Sequence, residues 1–143
     1  MPTPGTAALA MAAALSAAAA IAHLACVVIG ARAYRFMGAG ESMTRAVEAG
    51  KTRPTLTTVA IAAVLFVWAA YALSGAGLIG HLPFTKVALL AITSVYIGRA
   101  VFFPLLRPSF PGNSTKFWLV SSGICLAIGL VHAYGLASRW PNL

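Results

Sequence analysis

The residue with the clearest potential for chemistry is an arginine inside an apolar segment. Arg99 lies in the run SVYIGRAVFFPLL, residues 94–106, where it is the only charged residue. A guanidinium group binds phosphate through paired hydrogen bonds, and an ionisable residue inside a membrane span indicates a functional site. Tyr96, one helical turn earlier, can add a hydroxyl group. Arg99 and Tyr96 therefore predict a site for an anion or a lipid phosphate.

Arg99 could also have a purely structural role, in either of two ways. Its side chain is long enough to reach the head groups or to face neighbouring helices without binding a ligand. A carboxylate of Glu41 or Glu48, the two acidic residues of the chain, can also pair with it.

A second group of residues could hold a metal ion. His23 and Cys26 lie in the first apolar segment and Cys125 lies in the fourth. Thiolates together with an imidazole suit copper(I) or zinc, so a copper or zinc site is one hypothesis. The alternative is that both cysteines act as small apolar residues and that His23 hydrogen-bonds a neighbouring helix. His132 is expected about 11 Å from His23 along the membrane normal, which does not suit two axial ligands of one haem.

Several enzyme classes lack their residues in this sequence. The chain has no aspartate and no Cys-x-x-Cys pair, and both glutamates lie outside the apolar segments. Disulfide exchange, drug export that depends on an intramembrane carboxylate, and Ser-His-acid catalysis are therefore not indicated. We predict no catalytic residue and no obligatory cofactor.

The composition shows which elements position these residues. The chain has 143 residues, of which 60% are hydrophobic and 8% are charged, whereas a soluble domain has about 25% charged residues. Four apolar segments reach the roughly 20 residues that a membrane-spanning helix needs. We predict an all-α membrane protein that is a single domain, an antiparallel bundle of four transmembrane helices with a short surface helix at residues 40–50. The spans are expected at Thr6–Ala31, Leu56–Ile79, Phe84–Leu106 and Phe117–Ala137.

The distribution of basic residues predicts the orientation of the chain. The net charge is +8, and most basic residues flank the loops after the first and third spans. Because lysine and arginine mark cytoplasmic loops, both termini are expected in the periplasm. The positive charge then reflects topology and attraction to anionic lipids, and we expect no nucleic-acid partner.

Small residues recur along two of the predicted spans. In the first span a stripe repeats at every fourth residue, and the fourth span has a shorter stripe. Such stripes allow close approach of helices in lipid, either within one chain or in a homo-oligomer or a complex with a partner membrane protein. The residues expected to pack in this way include Ala14, Ala18, Ala22, Gly30 and Gly129.

One stretch resembles a known group of proteins. The segment YALSGAGLIGHLPFTKVALLAITSVYIGR, residues 71–99, contains an ALSGAG turn, a following Leu-Pro, and an apolar run that ends in Tyr-x-x-Arg. It is similar to small four-span bacterial inner-membrane proteins that have no assigned activity. The resemblance implies a bacterial inner membrane, and it rests on Tyr96, Arg99 and the turn residues Ser74, Gly75, Gly77 and Pro83.

Together these observations predict a small polytopic inner-membrane protein that is not an enzyme and that binds lipid or a partner membrane subunit. The first alternative is an oligomeric transporter or channel in which Arg99 lines the path of an anion or a small solute. A further alternative is a metal or redox protein that uses His23, Cys26 and Cys125.

Overall fold

The computed structural model describes residues 1–109 and 112–143, and the regular structure in these ranges is helical. Short 3-10 turns follow the sixth and seventh α-helices at Arg107–Ser109 and Trp140–Asn142. The α-helices are α1 (Pro4–Ile29), α2 (Ala31–Phe36), α3 (Glu41–Glu48), α4 (Thr52–Ala76), α5 (Thr85–Val101), α6 (Phe103–Leu106) and α7 (Thr115–Arg139).

Among the described residues, three helices are long and apolar enough to cross a membrane: α1, α4 and α7 with the turn that follows it. A fourth span is present if α5 and the segment Phe103–Ser109 count as one, although the two are bent by 72°. In the described ranges, an all-α structure with three to four such helices is consistent with a multi-pass membrane protein.

The break after α5 differs from the expected continuous third span at Phe84–Leu106. The helix ends at Val101, and Phe102 separates it from α6. Pro104 explains the break, because proline has no N–H to donate and its ring clashes with the carbonyl group four residues earlier. Arg99 is consequently two residues from the end of its helix, rather than about 10 Å inside a longer one.

The packing of α1 organises the other helices. It contacts α4 and, less extensively, α7, while α5 contacts α7 and, less extensively, α4. Leu9 of α1 is fully buried where these helices converge. A Cβ atom on Gly135 of α7 would lie 2.7 Å from Leu9 Cγ, and one on Gly75 of α4 would lie 3.1 Å from Leu9 Cδ1. Two glycines therefore admit the leucine side chain.

The predicted small-residue stripe lies beside the face of α1 that packs within the chain. Ala14 and Ala18 are exposed, and Ala22 and Gly30 are partly buried. The buried positions of the first half of α1 are Gly5, Leu9, Ala12, Ala13, Ser16 and Ala20. Intramolecular packing at Ala14 and Ala18 is therefore not seen.

On α7, Gly129 does lie at a close helix contact. A Cβ atom there would lie 2.8 Å from Ile97 Cγ1 and 3.2 Å from the Ile97 backbone nitrogen. The absence of a side chain at Gly129 lets α7 approach the backbone of α5.

The helices place most of the basic residues at the end opposite the termini. The start of α1 lies beside the end of α7, because a Cβ on Gly5 would meet Ser138 Cβ at 2.7 Å. The opposite end, which we call the basic end, carries α2, α3 and α6. Its basic residues are Arg32, Arg35, Arg45, Lys51, Arg53, Arg107 and Lys116.

Candidate functional site

Arg99 reaches from α5 to α7 near the basic end. Its Nη1 atom donates to Ser122 Oγ at 3.3 Å, and its Nη2 atom donates to Ser121 Oγ at 3.1 Å. The guanidinium carbon lies 4.8 Å from the centre of the Trp118 ring, within the range of a cation–π interaction. Arg99 is partly buried, so one part of the guanidinium group contacts α7 and another part is accessible.

The charge of Arg99 has no carboxylate partner within residues 1–109 and 112–143. The ion pair found in these ranges joins Arg35 and Glu48, with 2.9 Å between Nη2 and Oε1. A guanidinium group has five N–H donors, and Arg99 directs two of them to serines. The remaining donors make no hydrogen bond in the described part of the chain, which suits an external anion.

Two aromatic side chains, Trp118 and Phe103, pack next to Arg99. Trp118 is 2% exposed, and its ring stacks on Phe103 of α6 with 6.4 Å between ring centres. Helix α7 begins just before this point because the Ser114 hydroxyl accepts a hydrogen bond from the Phe117 N–H at 3.1 Å, as an N-cap residue does. The cap and the bend at Phe102 together bring Trp118, Phe103 and Arg99 to one place.

Arg139, at the opposite end of the molecule, differs from Arg99 in having a structural role. Its Nε donates to the Gly75 carbonyl at 3.2 Å, and its Nη1 donates to Thr6 Oγ1 at 3.3 Å. A cation at the carbonyl end of α4 is favoured by the helix dipole. These contacts join α7 to α4 and α1, so the position of Arg139 is accounted for by helix packing and does not require a ligand.

Tyr96 lies in a buried layer rather than beside the accessible side of Arg99. Its hydroxyl group is 2.9 Å from Ser16 Oγ on α1. Its ring meets Trp68 of α4 edge-on at 5.1 Å and lies 5.3 Å from the ring of His132 of α7. The layer thus takes one residue from each of α1, α4, α5 and α7, and Tyr96 is 5% exposed.

His132 is a fully buried member of this layer that carries a titratable ring. Its Nδ1 atom lies 3.0 Å from the Ile128 carbonyl oxygen. Because a carbonyl only accepts, Nδ1 carries the proton and Nε2 is the acceptor in the neutral ring. Nε2 has no hydrogen-bond partner among the residues that the structure describes.

The residues of the metal hypothesis lie on α1 and α7 and do not form a three-residue cluster in the described part of the chain. His23 Nδ1 donates to the Ala19 carbonyl at 2.7 Å within its own helix. Cys26 is buried on α1, and Cys125 is partly buried on α7. Within the two described ranges, no three histidine, cysteine or acidic side chains lie close enough to bind one metal ion.

The turn residues lie between α4 and α5. Gly77 ends α4 with a φ of 75°, and its N–H donates to the Ser74 carbonyl at 3.0 Å, a left-handed cap that favours glycine. The Ser74 hydroxyl accepts from the Leu82 N–H at 2.9 Å and contacts Thr85 Oγ1 at 3.3 Å. Ser74 and Gly77 therefore organise the turn, and Pro83 lies exposed within it.

Sequence reasoning did not identify Ser16, Trp68 and Ser122 as members of these sites. A serine inside an apolar span was the available signal, because such a hydroxyl tends to hydrogen-bond a neighbouring helix. Nothing in the spacing of Ser16 indicated Tyr96 as its partner.

No family model matches this sequence, and no significant similarity to a curated protein or to a solved structure was found. The resemblance to small four-span inner-membrane proteins therefore stays a prediction, and the function has to be argued from the geometry.

Proposed function

We propose that this protein is a non-enzymatic, multi-pass membrane protein that binds an anionic phospholipid at Arg99. The observation that carries the proposal is a partly exposed guanidinium group that has N–H donors to spare and no carboxylate partner in the described ranges. The planar guanidinium group binds phosphate in proteins through paired hydrogen bonds.

The proposal includes a placement in the membrane. The four apolar helices α1, α4, α5 and α7 form an antiparallel bundle in a bacterial inner membrane, with both termini periplasmic and the basic end cytoplasmic. The excess of arginine and lysine at the basic end supports this orientation. Arg99, two residues before the end of α5, then lies within reach of the phosphates of the cytoplasmic leaflet.

The shape of the basic end supports a lipid rather than a soluble anion. The segment after α5 turns by 72°, and the apolar side chains of Phe102 and Leu105 are exposed there. Such a segment is suited to lie at the boundary between head groups and acyl chains. A lipid phosphate at Arg99 would have its acyl chains next to this surface.

The test compares lipid retention by two arginine variants. Native mass spectrometry of detergent-purified protein, with added phosphatidylglycerol or phosphatidylethanolamine, measures the bound lipid. We expect wild type to retain phosphatidylglycerol and Arg99→Gln to lose it by about 10- to 100-fold in affinity, because hydrogen bonds to charged groups contribute about 1.5–3 kcal/mol. Arg107→Gln is the matched control, since it removes the same charge from the same end at an exposed position.

Two results would overturn the proposal. Equal losses in Arg99→Gln and Arg107→Gln would show attraction by overall charge rather than a site. Equal retention of the zwitterionic and the anionic lipid would contradict the binding of a specifically anionic phospholipid. Unchanged thermal unfolding of both variants ensures that the comparison reports binding.

The transporter hypothesis is tested by a variant at the same residue. If Arg99 lines the path of an anion, proteoliposomes with wild type show anion flux, and Arg99→Ala abolishes it while the protein still folds. Anion flux that persists in Arg99→Ala excludes this path. The metal hypothesis predicts stoichiometric copper or zinc in purified protein, which Cys26→Ser removes.

A further inference from the structure

We infer that α2 forms a second site for an anionic phospholipid, centred on Arg32 and separate from Arg99. The site is an open groove of about 520 Å³ at the corner between α1 and α2, and its lining residues are Ile29, Arg32, Ala33, Arg35 and Phe36. Gly30 makes the corner with a φ of 83°, a conformation that glycine adopts readily.

A buried hydrogen bond fixes which face of α2 turns outward. Tyr34 is 4% exposed, and its hydroxyl group donates to Thr58 Oγ1 of α4 at 2.8 Å. Because successive helical residues are about 100° apart, positions two residues before and after Tyr34 lie on the opposite face. Arg32 and Phe36 occupy these positions and are exposed.

The two arginines of the groove differ in their charge balance. Arg35 is paired with Glu48 of α3 at 2.9 Å, so its charge is compensated and α3 is held at one edge of the groove. Arg32 has no carboxylate partner among the residues that the structure describes. The groove therefore presents one uncompensated positive charge.

The apolar part of the groove decides between possible ligands. Ile29 is 63% exposed and Phe36 is 89% exposed, beside the cation. A soluble anion would leave these side chains uncovered, and a lipid without net charge would leave the positive charge of the groove unneutralised. An anionic phospholipid can place its phosphate on Arg32 and an acyl chain against Ile29 and Phe36. It then neutralises the charge and covers the apolar side chains.

The inference rests on the proposed membrane placement, but it does not depend on Arg99. The experiment counts bound phosphatidylglycerol by native mass spectrometry in four proteins: wild type, Arg32→Gln, Arg99→Gln and the double variant. We expect wild type to bind two lipids tightly, each single variant to bind one, and the double variant to bind none. Each single substitution should weaken its own site at least tenfold. Arg45→Gln, an exposed arginine of α3 outside the groove, is the control and should keep both lipids.

The apolar contact is tested by Phe36→Ser, which keeps Arg32. This variant should weaken the same site as Arg32→Gln and leave the Arg99 site unchanged. Two lipids retained by Arg32→Gln would overturn the inference while leaving the Arg99 proposal intact. Equal weakening by Arg32→Gln and Arg45→Gln would overturn it as well, and so would a bound protein in place of the lipid.

Discussion

Tyr96 and Ser16 connect two helices, α1 and α5, that have few other contacts with each other. Both side chains are buried, so their hydroxyl groups have little access to other partners. The hydrogen bond between them fixes the position of α5 relative to α1.

We expect this bond to appear as a coupling energy in a double-mutant cycle. Tyr96→Phe, Ser16→Ala and the double variant should show a coupling of about 0.6 kcal/mol, and at most about 1.7 kcal/mol, as is typical of interhelical hydrogen bonds in membranes. The free energy of unfolding in mixed micelles is the measurement. Tyr134→Phe, which removes the same atom from a side chain that is 56% exposed, should change nothing. Purely additive effects of the two substitutions would contradict the bond.

The buried ring of His132 gives a second prediction about a single residue. Its Nε2 atom is buried without a partner in the described ranges, and a buried polar atom that lacks a hydrogen bond costs about 1–3 kcal/mol. His132→Phe keeps an aromatic ring beside Tyr96 and removes this atom, so the free energy of unfolding should stay equal or rise. A loss above about 1 kcal/mol would contradict this prediction.

The polar residues of the spans could be named from the sequence, but their partners could not. Arg99 and Tyr96 stood out because each is unusual in an apolar run. Their spacing of three residues suggested one shared site, whereas Tyr96 bonds Ser16 and Arg99 bonds Ser121 and Ser122. Which helices are neighbours decides these contacts, and the spacing within one helix does not contain that information.

At the scale of the helices, close approach at glycines determines how α1 and α7 pack. A Cβ atom on Gly135 would lie 2.7 Å from Leu9 Cγ and 3.1 Å from the Leu9 backbone nitrogen. The backbone atom cannot move aside as a flexible side chain can. The contact therefore requires a residue without a side chain.

Gly135→Ala should consequently destabilise the protein. Overpacking of this kind costs about 1–3 kcal/mol, seen as a lower free energy of unfolding in detergent. Gly123→Ala is the matched control on the same helix, because a Cβ atom there meets nothing within 4 Å. The control should be as stable as wild type or more stable by up to about 1 kcal/mol, because alanine favours a helix over glycine. Equal effects of the two substitutions would contradict the close contact.

The positions of the helices followed from the sequence better than their packing faces did. Long apolar runs indicated where the long helices lie, but the predicted spans ran through Gly30, Gly77 and Pro104, and the helices end at or shortly before these residues. The packed face of α1 did not follow, because a helix in lipid is apolar on all sides and the usual polar–apolar periodicity is lost. Ala14 and Ala18 are as small as Ala13 and Ala20, yet the first two are exposed and the others are buried.

At the scale of the whole molecule, the charge distribution predicts how the chain sits in a membrane. Labelling of single cysteines by a membrane-impermeant maleimide tests this in a background with Cys26→Ser and Cys125→Ser. Thr3→Cys and Asn142→Cys should react from the periplasmic side. Ser42→Cys, exposed on α3, should react only after permeabilisation. Labelling of Ser42→Cys in intact spheroplasts would reverse the orientation, and both lipid sites would then face the other leaflet.

The unequal lengths of the helices have a consequence for the surrounding bilayer. Helix α5 has 17 residues and α4 has 25, which correspond to about 25 Å and 38 Å at 1.5 Å per residue. A hydrocarbon layer is about 30 Å thick, so the side of the molecule that presents α5 is too short for it. In the proposed membrane placement, lipids next to α5 would have to compress, whereas α4 would compensate by tilting. The protein is thus expected to thin the bilayer on one side only and to prefer membranes with short acyl chains.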